Sequence, residues 1–263
     1  MPRPAILVSY TQLKTFLRHL DGKKVRSWAL DSGAYSALTS GAKISLSDYI
    51  TAIRSLEEPP AIIFSLDVIG DPEKTAENAR TIWREGIEAV PTFHYGSDWR
   101  YLEELAEIYP KIALGGLVKR GSGGHGSALS WKKRYQFLAS CFKRVWPKWV
   151  HGFGCCDKRL LFDFPFASVD STTWFYGVSR YGALRFGGNY HDARKFTKLV
   201  PREKDSPDAY HAALRLNLEW HLDMESAVRD RFGPTLTKAK IEPFDLRLGV
   251  AGPELKHFGD SNA

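Results

Sequence analysis

Residues 61–67 read AIIFSLD, and residues 71–73, a few positions further on, read DPE. The first stretch is an almost continuous apolar run, rich in β-branched and aromatic residues, as in a strand covered on both faces. The second stretch is typical of a helix start, with Asp71 at the N-cap, Pro72 at the first helical position and Glu73 in the first turn. A buried strand followed directly by a helix is the repeating unit of a parallel α/β sheet.

The same unit recurs along the whole chain. The strand-like runs lie at 5–10, 27–31, 61–67, 89–95, 111–118, 148–154, 166–170 and 183–187. Helical patterns cover 97–109 and 131–146, and a long C-terminal helix covers 206–232 and is expected to end at Gly233. Eight strands that alternate with helices predict a single α/β domain over residues 1–263, a (β/α)₈ TIM barrel. A doubly wound open sheet is the alternative, and the lack of a G-x-G-x-x-G pattern after the first strand argues against it.

Two segments interrupt the alternation of strands and helices. Residues 119–130 (KRGSGGHGSALS) are rich in Gly and Ser, which predicts a mobile loop after the fifth strand. Residues 174–204 form a basic insertion after the seventh strand, in which Arg and Lys are interleaved with Phe and Tyr. We expect this insertion to lie near the mouth of the barrel.

The composition is that of a globular protein, with 43% hydrophobic and 25% charged residues. No apolar run approaches the roughly 18 residues of a membrane span and no signal peptide precedes the first strand, so we expect a cytoplasmic protein with no membrane partner. The formal net charge of +7 favours a polyanionic partner, although many basic proteins bind none. The spacing of Cys141, Cys155 and Cys156 fits neither a disulfide framework nor a zinc site, and we expect no metal and no cofactor.

Acidic residues end three of the predicted strands. Asp31 ends the second strand, Asp67 the third and Asp170 the seventh, and His94 lies at the end of the fourth. Because active sites of this barrel class lie at the carboxyl ends of the strands, these side chains are expected to converge there. A single acid at a strand end is more often a helix cap or a turn residue. Three acids at one mouth weaken that explanation.

Glycines mark the same ends of two further strands. Gly115 and Gly116 close the fifth strand, and Gly152 and Gly154 flank Phe153 after the sixth. A backbone without side chains would let a flat ligand approach and form hydrogen bonds with its amides. Strain relief in a tight turn is the alternative explanation.

In this order, these residues resemble the tRNA-guanine transglycosylase (queuine tRNA-ribosyltransferase) superfamily, and most of all its compact, DpdA-like members, which put 7-deazaguanine bases into DNA. The family motif D-S-G-G-[YF]-Q corresponds to residues 31–36 (DSGAYS), and its L-G-G-L motif to residues 114–117. Its strand-three Asp corresponds to Asp67. Its G-x-G motif and the Asp after strand seven correspond to residues 152–154 and Asp170.

The resemblance implies roles for these residues. Asp170 would be the nucleophile that attacks the anomeric carbon and displaces the base, and Asp31 would be the general acid and base. Cleavage of an N-glycosidic bond gives the sugar oxocarbenium character, which one carboxylate can capture while a second acid protonates the base. The substrate-binding residues that follow from the resemblance are Ser32, Tyr35 (stacked on the base), Asp67 (on its Watson–Crick edge), His94 (in place of a base-contacting Gln), Gly115, Gly116 and Phe153.

The chain departs from the tRNA-acting members of the family. Those carry a C-terminal zinc site of three Cys and one His, whereas no Cys follows Cys156 here. Val68 and Ile69 replace the Cys that follows the recognition Asp, and Ala34 and Ser36 replace Gly and Gln. The resemblance therefore implies DNA rather than tRNA as the substrate, and it leaves the exact base open.

We expect DNA, or else tRNA, as the partner, together with a base such as 7-cyano-7-deazaguanine. Since Lys and Arg neutralise phosphates, the predicted nucleic-acid surface consists of Lys119, Arg120, Lys132, Lys133, Arg180, Arg185 and Lys195. A solvated charged face is the alternative. The leading interpretation is a DNA-guanine transglycosylase. The other candidates are a DNA glycosylase with water as acceptor, a tRNA-guanine transglycosylase and a non-catalytic nucleic-acid-binding barrel, and the oligomeric state stays open.

Overall fold

The computed structural model describes residues 3–20, 25–41, 43–119, 127–181 and 200–241. The strands in these ranges are β1 (Ala5–Ser9), β2 (Ser27–Asp31), β3 (Ile62–Ile63), β4 (Thr92–His94), β5 (Lys111–Gly115), β6 (Val118–Lys119), β7 (Ser127–Ala128), β8 (Trp149–Gly152) and β9 (Ser168–Val169). The helices are α1 (Leu13–His19), α2 (Ala34–Ser40), α3 (Leu46–Arg54), α4 (Pro72–Arg84), α5 (Trp99–Ile108), α6 (Trp131–Val145), α7 (Lys158–Asp163), α8 (Thr173–Tyr181) and α9 (Pro207–Lys238). The predicted α/β class is confirmed.

Seven of the strands in the described ranges are parallel and lie side by side in chain order. One sheet consists of β1, β2 and β3, and a second consists of β4, β5, β8 and β9. A parallel bridge between Phe64, just after β3, and Val90, just before β4, connects the two sheets. The result is one wall of strands in the order β1-β2-β3-β4-β5-β8-β9. The short strands β6 and β7 form a separate antiparallel hairpin.

One face of this wall buries a single apolar cluster. Its members are Leu7, Ala29, Ile62, Phe64, Val90, Ala113, Trp149, Ala167, Leu236 and Ile241. Paired residues on neighbouring strands point to the same face, and the register pairs Leu7 with Ala29 and Ala29 with Ile62. Residues 5–7 of the first strand and 168–170 around the last strand line the same cavity.

The other face of the wall is covered by helices. Ile112 and Leu114 of β5 pack into one cluster with side chains of α5, α6 and α7. Ile6 and Val8 of β1 pack into another cluster with side chains of α3, α8 and α9. Both faces are therefore buried, which explains why the strand segments are apolar at nearly every position.

The helix α4 begins at the position that the DPE stretch predicts. The Asp71 carboxylate accepts a hydrogen bond from the main-chain N–H of Lys74 at 2.9 Å, the usual contact of an N-cap. The expected end of the final helix at Gly233 is wrong, because α9 continues to Lys238. Leu236, in that extension, is fully buried in the apolar cluster that contains Leu7 and Phe64. Burial of that side chain outweighs the low helix propensity of Gly233 and Pro234.

The predicted strand at 111–118 is divided in two. The strand β5 ends at Gly115, and Gly116 turns the chain at a φ of +77°, in the left-handed region that favours glycine. The chain then enters the hairpin of β6 and β7. Lys119, Ser127 and Ala128, which belong to the Gly- and Ser-rich segment, therefore lie in paired strands rather than in a loop.

The predicted eighth strand at 183–187 lies outside the described residues. So does most of the basic insertion at 174–204, although its first residues belong to α8 and its last to the start of the 200–241 range. Within the described ranges, none of the helices combines the length and the hydropathy needed to cross a membrane.

Candidate active site

Polar residues gather where the parallel strands end. Asp31 is the last residue of β2, and His94 and Gly115, the last residues of β4 and β5, are paired in the register. Asp170 follows β9 directly, and Asp67 follows β3 by four residues. The carboxyl ends of parallel strands lie at the same edge of the wall. This edge holds the candidate site.

Asp31 is the acid whose environment is most informative. Burial, followed by the negative charge of Asp67, raises the pKa of Asp31 to about 7, and Asp170 adds a smaller rise. The main-chain N–H of Gly33 donates to Asp31 Oδ2 at 3.0 Å and opposes the rise. All three carboxyls lie at or after the carboxyl ends of their strands, the same edge of the wall. An acid with a pKa near 7 can both give and take a proton at neutral pH.

The carboxylate of Asp67 is held by two side chains. The Ser32 hydroxyl donates to Asp67 Oδ1 at 2.7 Å, and His94 Nε2 lies 2.9 Å from Asp67 Oδ2. A carboxylate oxygen can accept two hydrogen bonds, so one acceptor position remains on each oxygen for a ligand. In these contacts Asp67 stands between Ser32 and His94. His94 is therefore not placed to take the proton of the Ser32 hydroxyl and activate it as a nucleophile. Ser32 and His94 instead orient Asp67.

The two glycines after the fifth predicted strand have different roles. A Cβ at Gly115 would lie 3.0 Å from Cδ2 of His94 and 3.2 Å from Cγ2 of Thr92, so the imidazole occupies the space that a side chain would need. At Gly116 a Cβ would lie 2.9 Å from the main-chain nitrogen of Tyr95. Together with its positive φ, this supports the tight-turn explanation for Gly116. Gly115 makes room for His94.

The carboxylate of Asp170 is hydrogen-bonded to the main chain that follows the neighbouring strand. The main-chain N–H of Gly154, just after β8, donates to Asp170 Oδ1 at 2.8 Å. The turn that follows β9 is capped by Ser171, whose hydroxyl oxygen accepts from the N–H of Thr173 at 3.0 Å. Asp170 is 9% exposed. Its carboxylate is therefore placed at the strand ends rather than used as the cap of α8.

His151 is a candidate that the sequence pattern did not indicate. It lies in β8 and is buried, with Nδ1 2.7 Å from Ser168 Oγ and Nε2 3.4 Å from Asp170 Oδ1. The one signal in the sequence is a histidine within an otherwise apolar strand, because a buried polar side chain needs partners. Nothing in the pattern indicates which partners those are.

The two aromatic side chains predicted to bind the base differ in their environment. Tyr35 lies in the first turn of α2, shortly after Asp31, and is 43% exposed. Phe153 is half-buried, and its ring centroid lies 4.7 Å from that of Phe64 and 4.6 Å from that of His151. Tyr35 is exposed, whereas Phe153 is packed against the apolar cluster that contains Phe64.

Of the predicted nucleic-acid-binding residues, the structure describes the side chains of Lys132 and Lys133. Both are exposed in the first turn of α6. The next residue, Arg134, forms an ion pair at 3.0 Å with Asp157, the N-cap of α7 that follows β8. The two lysines therefore lie near the carboxyl ends of the strands, the edge of the wall that holds the candidate site. The side chains of Lys119, Arg120, Arg180, Arg185 and Lys195 lie outside the described part.

The three cysteines have different surroundings. Cys141 and Cys155 are buried, and burial raises the pKa of both thiols well above the usual value. Cys156 Sγ lies 3.0 Å from Thr173 Oγ1. In the ranges that the structure describes, no three His, Cys, Asp or Glu side chains are grouped so as to hold a metal ion.

The function of this site must be inferred from its own geometry. The chain matches no family model, no curated protein and no solved structure.

Proposed function

We propose that this chain is a transglycosylase that exchanges guanine in DNA for a 7-deazaguanine base, such as 7-cyano-7-deazaguanine. The observation that carries the proposal is the placement of Asp31, Asp67 and Asp170 at the carboxyl ends of parallel strands, together with a pKa of Asp31 raised to about 7. Base exchange requires a nucleophile, a proton carrier and a group that binds the base. The site offers one acid for each requirement.

We also propose that the wall of strands closes into a (β/α)₈ barrel whose mouth is the candidate site. In a flat sheet of this strand order, β2 and β9 would be roughly 24 Å apart, five spacings of about 4.8 Å. The charge of Asp170 nevertheless raises the pKa of Asp31, and β1 and β9 line one cavity. A curved wall with its apolar cluster inside accounts for both observations.

In the first step, Asp170 attacks C1′ of the target nucleotide as the bond from C1′ to N9 of guanine breaks. Oδ1 of Asp170 is held by Gly154, so Oδ2 is the oxygen that attacks. The electron pair of the broken bond moves to the base, and protonated Asp31 donates a proton to it. The products are free guanine, ionised Asp31 and a covalent ester between the sugar and Asp170.

In the second step, the incoming 7-deazaguanine occupies the place of guanine. Ionised Asp31 takes the proton from N9 of this base, and N9 attacks C1′. The ester bond to Asp170 breaks, which restores the free carboxylate and leaves the new base in the DNA. The pKa of Asp31 suits this alternation, because both of its protonation states are well populated near pH 7.

Asp67 is suited to bind the base that is exchanged. Guanine and 7-deazaguanine both present two neighbouring donors, N1–H and the 2-amino group. Asp67 retains one acceptor position on each oxygen beside its contacts with Ser32 and His94. A carboxylate with fixed orientation can therefore accept from both donors of the departing and the incoming base.

Incubation of the protein with duplex DNA and a labelled 7-deazaguanine tests the proposal. Incorporation of the label into DNA supports base exchange, and its loss in Asp170→Asn would show that the site is responsible. Abasic DNA without incorporation would indicate a glycosylase instead. Incorporation into tRNA alone would indicate the tRNA reaction, and binding without either product would indicate a non-catalytic nucleic-acid-binding protein.

A further inference from the structure

We infer that His151 is a positioning residue that orients the carboxylate of Asp170, and that Ser168 supports the imidazole tautomer able to do so. The contacts among these three residues are independent of the reaction. Their consequence for catalysis rests on the proposed function, in which Asp170 is the nucleophile.

The pairing of β8 with β9 brings the three side chains together. The register pairs His151 with Ser168, so that their side chains point to the same face. Asp170 lies two residues after Ser168, and alternation along the strand places it on that face too. All three residues line the cavity between the strands.

The imidazole of His151 is enclosed by aromatic rings. The residue is 4% exposed, and its ring centroid lies 4.6 Å from those of both Phe64 and Phe153. A buried polar atom without a partner is costly, because it has lost its hydrogen bonds to water. Nδ1 has a partner in Ser168 Oγ at 2.7 Å, whereas Nε2 makes no hydrogen bond within the described ranges.

The unsatisfied nitrogen faces the carboxylate. Nε2 of His151 lies 3.4 Å from Asp170 Oδ1, too far for a good hydrogen bond and close enough to become one with a small rotation. Contacts of this kind are often long in the free enzyme and shorten in the complex with substrate. A small rotation of the imidazole or of the carboxylate would close this gap.

Ser168 accommodates the imidazole tautomer that carries its proton on Nε2, and Asp170 favours that tautomer. A hydroxyl can donate as well as accept, and donation from Ser168 to Nδ1 leaves the single proton of the neutral imidazole on Nε2. In the other tautomer a lone pair on Nε2 would face the negatively charged carboxylate, which is repulsive. The Nε2–H tautomer is therefore the one that fits both neighbours.

The consequence for Asp170 is a fixed orientation. Two donors face Oδ1 of Asp170. One is the main-chain N–H of Gly154, just after β8, and the other is Nε2–H of His151, within β8. With Oδ1 held by two donors, Oδ2 stays directed at the sugar. Loss of the His151 donor should therefore slow attack on C1′ and leave the affinity for DNA unchanged.

A matched pair of variants separates the donor from the bulk of the ring. His151→Gln places an amide N–H near the former Nε2, whereas His151→Asn places it near the former Nδ1 and leaves Asp170 without a donor. We expect His151→Asn to slow adduct formation about 100-fold, as for other misplaced reacting groups, with KM for DNA unchanged. His151→Gln should recover most of the rate, and Ser168→Ala should lose about tenfold, a smaller effect because the ring remains. Equal losses in the Gln and Asn variants would overturn the inference.

The tautomer can be measured without substrate by ¹⁵N NMR of the histidine-labelled full-length protein, with His151→Gln used to assign the signal among the eight histidines. We expect a proton on Nε2 alone and a shift of that signal in Asp170→Asn. A proton on Nδ1 alone would overturn the inference even in a protein that exchanges bases. The Nε2–H form in a protein that exchanges no base would overturn the proposed function and leave the His151–Asp170 relationship standing.

Discussion

The main-chain N–H of Gly154 donates a hydrogen bond to Oδ1 of Asp170 at 2.8 Å. This contact joins the chain after β8 to the chain after β9 and leaves Oδ2 as the oxygen that can reach a ligand. Asparagine at position 170 keeps an oxygen acceptor for Gly154 and removes the negative charge. The substitution Asp170→Asn therefore separates the charge of this residue from its structural contact.

We expect Asp170→Asn to abolish both base exchange and the covalent DNA–protein adduct. Its free energy of unfolding should not fall below that of wild type, because the acceptor for Gly154 remains and a repulsive charge near Asp31 is removed. Denaturing gels detect the adduct, and thermal melting measures the stability. Asp163→Asn, at the exposed end of α7, is the control and should retain full exchange. An Asp170→Asn protein that still exchanges base would place the nucleophile elsewhere.

Asp31→Asn should change how stability depends on pH. The pKa of Asp31 is about 7 in the folded protein against 3.8 as the ordinary value, so between these pH values the folded state holds a proton that the unfolded state has lost. The contribution of Asp31 to stability therefore falls as pH rises from about 4 to 7 and is constant above. Each unit of the rise corresponds to about 1.4 kcal/mol.

The Asn variant lacks this titration and should be more stable than wild type at pH 8, with a smaller difference at pH 4. Urea unfolding of both proteins at the two pH values measures this. Base exchange should fall by roughly 10²–10⁴, the usual contribution of a general acid. Equal stability of the two proteins at pH 8 would mean that burial does not oppose the charge of Asp31.

The strand ends of the site could be predicted from the sequence, whereas the contacts between them could not. Asp31 and His94 end the strands at which the apolar runs place them, because a buried parallel strand is apolar along its length. His151 also lies in such a run, but its partners Ser168 and Asp170 come from the next strand of the wall. Only the register between β8 and β9 brings them together, and an amino-acid pattern does not specify a register across distant segments.

The end of α9 illustrates the same limit. Gly233 followed by Pro234 predicts a helix end by local propensity, and the structure continues past both residues. The reason is tertiary, since Leu236 reaches an apolar cluster that it shares with residues of the strands.

Gly115→Ala tests whether the position of His94 matters for the base. The new Cβ would lie 3.0 Å from Cδ2 of His94, so the imidazole must shift and its contact with Asp67 is disturbed. We expect the KM for the incoming base to rise about tenfold, the effect of about 1.4 kcal/mol of lost binding energy, with the affinity for DNA unchanged. Steady-state kinetics with varied base concentration measure it.

Gly233→Ala is the matched control for this substitution. Gly233 lies in α9, and apart from its chain neighbours and the backbone of its own helix no atom of the described residues comes within 4 Å of the point where its Cβ would lie. The higher helix propensity of alanine is opposed by the clash between its Cβ and the ring of Pro234, so the stability should change by less than about 1 kcal/mol, and the kinetics should be unchanged. An unchanged KM in Gly115→Ala, in a protein as well folded as the control, would show that His94 has no part in binding the base.

The helix α6 offers an internal comparison for the nucleic-acid surface. Lys132 lies in its first turn, beside the carboxyl ends of the strands, and Lys143 lies near its other end, and both are exposed. Eleven residues of helix separate them by about 16 Å, more than the Debye length of about 8 Å at physiological salt, so each lysine reports on its own surroundings.

If DNA crosses the candidate site, Lys132→Glu should weaken binding and reduce the slope of log Kd against log salt by about one, whereas Lys143→Glu should do neither. Fluorescence anisotropy with a DNA duplex at several salt concentrations provides both numbers. Equal weakening by the two substitutions would mean that the net charge of +7, rather than a local surface, attracts DNA. An unchanged slope in Lys132→Glu would make this end of α6 a solvated face. The DNA would then have to reach Asp170 from another side of the strand ends.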